Sequence, residues 1–184
     1  MTDEELKELV ASLVVAQKQT DRQLKQTDRQ LKELGQQIGG LGNKFGSFTE
    51  GMAFPSMTHV LRKRFHMETI ATRVQNQKNG ESMELDVLAY ANAEGKAVYV
   101  VEVKSHLKEE GLEQMLATLK RFPAFFPEHR DKQLFGILAV VDTTDALRQR
   151  VLQEGIYLAL IQDNLFQIDV PDGFQPRSFN EERL

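Results

Sequence analysis

The sequence predicts an α/β domain in which helices cover a mixed β-sheet, with a coiled-coil helix in front of it. Three observations carry that prediction. The heptapeptide QTDRQLK occurs at Gln19–Lys25 and again, unchanged, at Gln26–Lys32. A glycine-rich run with Gly35, Gly39, Gly40, Gly42 and Gly46 follows. Beyond it, apolar runs of strand length alternate with stretches of helical spacing.

The seven-residue period sets the first element. Leu6, Leu13, Thr20, Thr27, Leu34 and Leu41 fall on one seam position, and Val10, Gln17, Leu24, Leu31, Ile38 and Phe45 on the other. Spacing by threes and fours over nearly six heptads is coiled-coil spacing. A lone helix cannot bury such a stripe on itself, so the pattern predicts self-association. Gln17, Thr20 and Thr27 weaken the seam, and the glycines then destabilise the helix by about 1 kcal/mol each relative to Ala. Residues 1–41 therefore read as a coiled-coil stalk and residues 42–184 as the globular domain. A helix folded back on that domain is the alternative.

From about Ser47, SFTEGMAFPSMTHVLRKRF reads as a helix on Phe54, Met57, Leu61 and Phe65, with Pro55 an early kink. HMETIATRVQNQ reads as a short strand. NGESMELDVLAY and KAVYVVEVKS read as two longer strands joined through NAEGK. EEGLEQMLATLKRF is helical and expected to stop at Pro123, and the nearly all-apolar LFGILAVVD is a central strand. TDALRQRVLQEG is a helix from about Thr144 to Gly155, IYLALIQ and LFQIDV are late strands, and PDGFQPRSFNEERL is a tail.

Composition narrows the function classes. The 184 residues are 41% hydrophobic and 27% charged, with no cysteine, which excludes disulfides and thiolate metal sites. No run approaches the roughly 18 consecutive apolar residues of a membrane span, and the acidic start is unlike a signal peptide. A cytoplasmic, non-membrane protein is expected. The formal charge is −4. Residues 1–45 balance seven Lys/Arg against seven Asp/Glu, whereas residues 46–184 carry sixteen against twenty. A polyanionic partner would need a local basic patch or bound cations.

One stretch breaks the strand logic. In AVYVVEVKSHL, Val98, Val100, Glu102 and Lys104 share a side, and Tyr99, Val101 and Val103 share the other. In MELDVLAY, strict alternation puts Met83, Leu85, Val87 and Ala89 on one face and Glu84, Asp86, Leu88 and Tyr90 on the other. A hairpin with Asn92–Lys96 as its loop pairs Ala91 with Ala97 and sets Asp86 opposite Glu102. Two facing carboxylates repel and resist desolvation. A divalent cation offsets both costs, because carboxylate oxygens are the ligands hard cations prefer. A plainer reading is an ion pair of Glu102 with Lys104 or with an outside arginine.

ELDVLAY followed by VYVVEVKSH resembles the core of the PD-(D/E)XK nuclease superfamily, the restriction-endonuclease-like fold, in which an acid on one strand precedes Glu-x-Lys on the next. LGNKFGSFTEGM resembles the first core helix of that fold, and the coiled-coil front is similar to a bacterial subgroup. The resemblance implies a mixed sheet flanked by helices. It implies that Asp86 and Glu102 hold Mg²⁺ or Mn²⁺ with the Val103 carbonyl, and that Glu50 acts through the metal or its waters. It further implies that Lys104 orients or deprotonates the attacking water, with Gln114 a polar helper on the next helix. Leu85 stands where the family often has proline. The implied activity is metal-dependent hydrolysis of DNA, or of RNA; a non-catalytic binding or oligomerisation module keeping the fold is the alternative.

Other features read plainly. Arg62, Lys63 and Arg64 read as a solvated helix end more readily than as a phosphate grip. His59, His66, His106 and His129 have no metal-ligand spacing, although His106 lies close to Lys104 in sequence. Glu84 is an outer ligand or a surface acid, and Asp142 a residue that caps or precedes a helix. FPAFFPEH, Phe122–His129, reads as a packed connection rather than a base-stacking platform.

Overall fold

The computed structural model describes residues 53–92, 96–162 and 165–180, together with Gly51 and scattered positions among the first thirty. The chain divides into two compact units, 1–44 and 45–184.

In the first unit, Glu4, Leu13, Gln17 to Thr20, Gln23, Leu24, Gln26, Thr27 and Gln30 are all helical and exposed. Leu13 and Leu24, one from each seam position, are 61% and 62% exposed. The seam positions Leu6, Val10, Leu31, Leu34, Ile38, Leu41 and Phe45 lie outside the described residues, as does Glu50.

The second unit is a mixed α/β sandwich of helices on a six-stranded sheet. Helix α1 covers residues 53–63. The strands are β1 (Thr69–Lys78), β2 (Glu81–Tyr90), β3 (Ala97–His106), β4 (Gln133–Asp142), β5 (Tyr157–Gln162) and β6 (Leu165–Ile168). Helix α2 (Glu109–Phe125) and the turn Pro127–His129 link β3 to β4, and α3 (Asp145–Gln153) links β4 to β5. The spatial order is β1-β2-β3-β4-β5-β6. The three middle strands are parallel, and the other neighbours pair antiparallel. The parallel pairs are those bridged by a helix, as parallel neighbours require.

Each face of the sheet has its own core. On one, Ala53, Met57 and Leu61 of α1 pack against Val87, Ala89, Tyr99, Val101, Ile137 and Ala159. On the other, Leu112, Met115, Leu119 and Phe122 of α2, with Leu147 and Val151 of α3, pack against Val98, Val100, Leu134, Leu138 and Leu158. Gly136 of β4 is where α2 comes closest: a Cβ there would meet Leu119 Cδ1 and Met115 Cε at 2.8 Å.

Three expectations are corrected. Helix α2 does not stop at Pro123 but continues to Phe125. A proline in the last turn forfeits one backbone bond, and burial of Phe122 and Phe125 outweighs that loss. The expected short strand is the ten-residue β1. It is extended by the Asn79–Gly80 turn, whose φ values of 53° and 81° suit the two-residue turn that joins it to β2.

The third correction concerns alternation in β2. Met83 and Leu85 join the same core as Leu88 and Tyr90, while Val87 and Ala89 join the other. The strand therefore exchanges faces at Asp86. Strand β1 does so at Arg73, since Ile70 packs in one core and Val74 in the other. Pairing runs through Thr72↔Val87, skips one rung, and resumes at Val74↔Leu85 in unchanged register. The skipped residues are Arg73, at φ 53°, and Asp86. Beyond that rung the ribbon is tied to the end of α2. Asn76 Nδ2 donates to the Phe125 carbonyl at 2.9 Å, Lys78 Nζ donates to the Ala124 carbonyl at 2.6 Å, and Arg121 pairs with Glu81 at 2.8 Å.

The tail is anchored by backbone bonds from Arg177 N–H to the Gly155 carbonyl (3.0 Å) and from Phe179 N–H to the Leu134 carbonyl (2.8 Å).

Candidate active site

The rung where β1 and β2 exchange faces opens a cleft of about 310 Å³. Arg73, Val74, Gln75, Glu84 and Leu85 of the ribbon line it, with Asp86, Glu102 of β3 and Gln114 of α2.

The β2–β3 register is the expected one. Tyr90↔Val98 through Val87↔Val101 are paired, and Ala91 N–H donates to the Ala97 carbonyl at 3.1 Å. Counting one rung on brings Asp86 level with Glu102, but the ladder ends at Val87. A side chain takes over there: Asp86 Oδ2 accepts the Val103 N–H at 2.7 Å. The carboxylate thus fills a place that a backbone carbonyl would hold in a continuous ladder.

Glu102 and Lys104 point toward the α2 side of the sheet, in line with Val98 and Val100. Their side chains are 14% and 29% exposed, and Lys104 Nζ stands 2.7 Å from Glu102 Oε1. The ammonium also donates to Gln114 Oε1 at 3.4 Å. Lys104 is thereby held between an acid of its own strand and an amide of the next helix. Glu102, Lys104 and Gln114 are brought together as expected, with Asp86 across the strand gap. Glu84 is exposed and accepts from Gln75 Nε2 at 3.1 Å on the rim of the same cleft.

Among the described residues, no group of three or more His, Asp or Glu is placed to hold a metal ion. The ligands implied from the sequence, Asp86, Glu102 and the Val103 carbonyl, are all oxygen donors, a chemistry that suits Mg²⁺ or Mn²⁺ better than softer metals. A carboxylate offers about four lone-pair sites, so a hydrogen bond to one oxygen leaves ligand capacity.

Two features of this region were not read from the sequence. Arg73 lies on the cleft wall, its Cζ 5.4 Å from the centre of the Phe54 ring of α1. Asp142 precedes α3 as expected but does not cap it; its Oδ2 lies 2.8 Å from His106 Nδ1, because the parallel register pairs His106 with Asp142. The cap of α3 is Thr144, whose hydroxyl accepts the Leu147 N–H at 3.3 Å.

Arg62, Lys63 and Arg64 are exposed at the end of α1. His129 is buried in an aromatic cluster with Tyr90, Phe122 and Phe126. Burial, then the nearby Lys132 charge, push its pKa below the usual histidine value. Among the described residues, no helix is long and apolar enough to cross a membrane.

A family model described as "Protein of unknown function (DUF3782)" matches residues 4–84. No curated protein matches the chain. Among solved structures, a repair endonuclease from Pyrococcus abyssi is similar at 15% identity and a TM-score of 0.39, over 59% of this chain and 46% of that one. The EndoMS–dsDNA2 complex is similar at 13% identity and a TM-score of 0.39, over 60% and 45%. A protein of unknown function, AF1548, is similar at 18% identity and a TM-score of 0.40, over 59% and 58%. The chain spans about half the length of these structures.

Proposed function

We propose that this chain is a metal-dependent phosphodiesterase that cuts DNA. The observation that carries the reading is the convergence of Asp86, Glu102 and Gln114 on one cleft, with Lys104 held between the last two. Asp86, Glu102 and the Val103 carbonyl would hold Mg²⁺ or Mn²⁺, with Glu50 as a further acid. Such an ion, when bound, supplies an activated water and polarises a phosphoryl oxygen.

The remaining chemistry belongs to the chain itself. Lys104 presents a positive charge beside the carboxylate pair, where negative charge builds on the phosphate during in-line attack. Gln114 restrains the lysine, which otherwise has several free rotors. Glu102 holds the ammonium in place through the 2.7 Å contact. Residues 1–41 would join copies of the chain through the heptad seam; the exposed, helical Leu13 and Leu24 support this.

A non-catalytic module that keeps the fold is the competing reading, and the 2.7 Å Glu102–Lys104 pair is the observation in its favour. Incubation of plasmid, linear and single-stranded DNA and of RNA with Mg²⁺, Mn²⁺ or EDTA separates the two. Metal-dependent cutting that falls at least about 100-fold in Lys104→Ala is expected. Cutting in EDTA, or at full rate in Lys104→Ala, overturns the mechanism. Inertness toward every substrate favours the module.

A further inference from the structure

We propose that Arg73 is a substrate-phosphate contact of this cleft, presented by a strained turn of the β1 backbone. The inference rests on the phosphodiesterase reading, and it concerns a residue outside the acid–acid–lysine set.

The first observation is conformational. Arg73 has φ 53° within β1. The other described non-glycine residues with positive φ, His66 and Asn79, lie outside the strands. A long side chain in this region is uncommon and costs free energy, whereas glycine or asparagine takes it at less cost. An arginine is thus kept where backbone conformation alone would favour another residue. Such strain inside a strand, at the wall of a cleft, is typical of functional positions.

The second observation is placement. The ladder skips Arg73 and Asp86 on the same rung, so the exchange of faces in the two strands brings this arginine onto the wall that carries Asp86. The Phe54 ring lies 5.4 Å from its guanidinium carbon, which limits where the fork can go.

The third is electrostatic. The cleft is lined by Glu84, Asp86 and Glu102, and Lys104 beside it is engaged by Glu102. A phosphodiester entering there meets carboxylates on both sides. Among the described lining residues, Arg73 carries the positive charge, alongside the contact it already makes. Its planar guanidinium can give two parallel N–H bonds to phosphate oxygens.

The test uses the full chain and its variants Arg73→Gly, Arg73→Asn, Arg73→Lys and Lys104→Ala. Thermal unfolding, binding of a labelled duplex oligonucleotide in Ca²⁺ over a salt series, and cutting with Mg²⁺ or Mn²⁺ are measured. Arg73→Gly and Arg73→Asn should unfold at or above the wild-type temperature, since they relieve the strain. They should bind DNA roughly 10-fold more weakly, with a salt slope smaller by about one, as for loss of one phosphate contact. Their KM should rise, and Arg73→Lys should recover the slope without recovering all the affinity. If the wild type cuts DNA while the Gly and Asn variants keep its KM and salt slope, the Arg73 inference falls and the phosphodiesterase reading stands. If nothing is cut but those variants still lose one unit of salt slope, the phosphodiesterase reading falls and the phosphate contact stands. A wild-type chain that binds no oligonucleotide overturns the contact.

Discussion

Replacing Asp86 with alanine should destabilise the metal-free protein, although the substitution removes one of two neighbouring negative charges. The reason is the 2.7 Å bond from the Val103 N–H to Asp86 Oδ2. Val103 is 8% exposed, so water does not readily replace that acceptor. Leaving a buried donor unsatisfied costs about 1–3 kcal/mol. Relief of repulsion is small by comparison, because Glu102 already has Lys104 at 2.7 Å. In a folded unit spanning residues 45–184, each kcal/mol moves the unfolding midpoint by roughly 3–4 °C. A fall of about 3–12 °C is therefore expected for Asp86→Ala. Asparagine keeps an acceptor oxygen and loses only the charge-assisted part of the bond, so Asp86→Asn should fall by about 1 kcal/mol or less. Both variants should lose any rise in melting temperature that Mg²⁺ or Mn²⁺ confers on the wild type, since a ligand that binds only the folded state stabilises by mass action. Thermal unfolding in EDTA and in each metal measures all of these. Equal midpoints for wild type and Asp86→Ala in EDTA would refute the acceptor role. A metal-induced rise that survives in Asp86→Ala would refute the ligand role.

Protonation of His129 should weaken the fold in acid. Its folded pKa lies below the ordinary 6.5, so stability is full above that value and declines as pH falls from it toward the folded pKa, where the unfolded chain binds the extra proton. His129→Phe should flatten this part of the pH profile, and an unchanged slope in urea melts between neutral and mildly acidic pH would count against it. Gly136→Ala should cost about 1–3 kcal/mol, because Leu119 and Met115 must both retreat from 2.8 Å inside a packed core; an unshifted midpoint in urea would mean that α2 has more room than it shows. The full-length chain should scatter light as an oligomer and a chain beginning at Phe45 as a monomer; identical monomeric masses would remove the coiled-coil reading.

Much of the second unit was legible because its signals are local. The apolar run of β4 and the start of α3 near Thr144 state their own structure. The β2–β3 register, Tyr90↔Val98 to Val87↔Val101, was legible because loop length between two antiparallel strands determines it. The exchange of faces at Arg73 and Asp86 was not. It depends on two strands changing side together, and each strand alone still reads as ordinary alternation. Asn79–Gly80 was a readable hairpin signal that would have given β1 its full length. The His106–Asp142 contact needed the β3–β4 register, which a helical crossover leaves unspecified. The end of α2 was misjudged because Pro123 was weighed without Phe125, whose burial carries the helix two residues further.

The carboxylate that replaces a missing rung also changes how kindred sequences should be read. An acid serving only a reaction can disappear once the reaction is no longer needed. Asp86 cannot be lost so freely, because Val103 still needs an acceptor after any activity has gone. On the proposed function, a related chain without the activity would be expected to keep aspartate, or to settle on asparagine, at this position. Lys104, half-buried and held among the described residues by Glu102 and Gln114, satisfies no backbone group in this way. On the proposed function, its replacement, more than any change at position 86, would be the mark of an inactive relative.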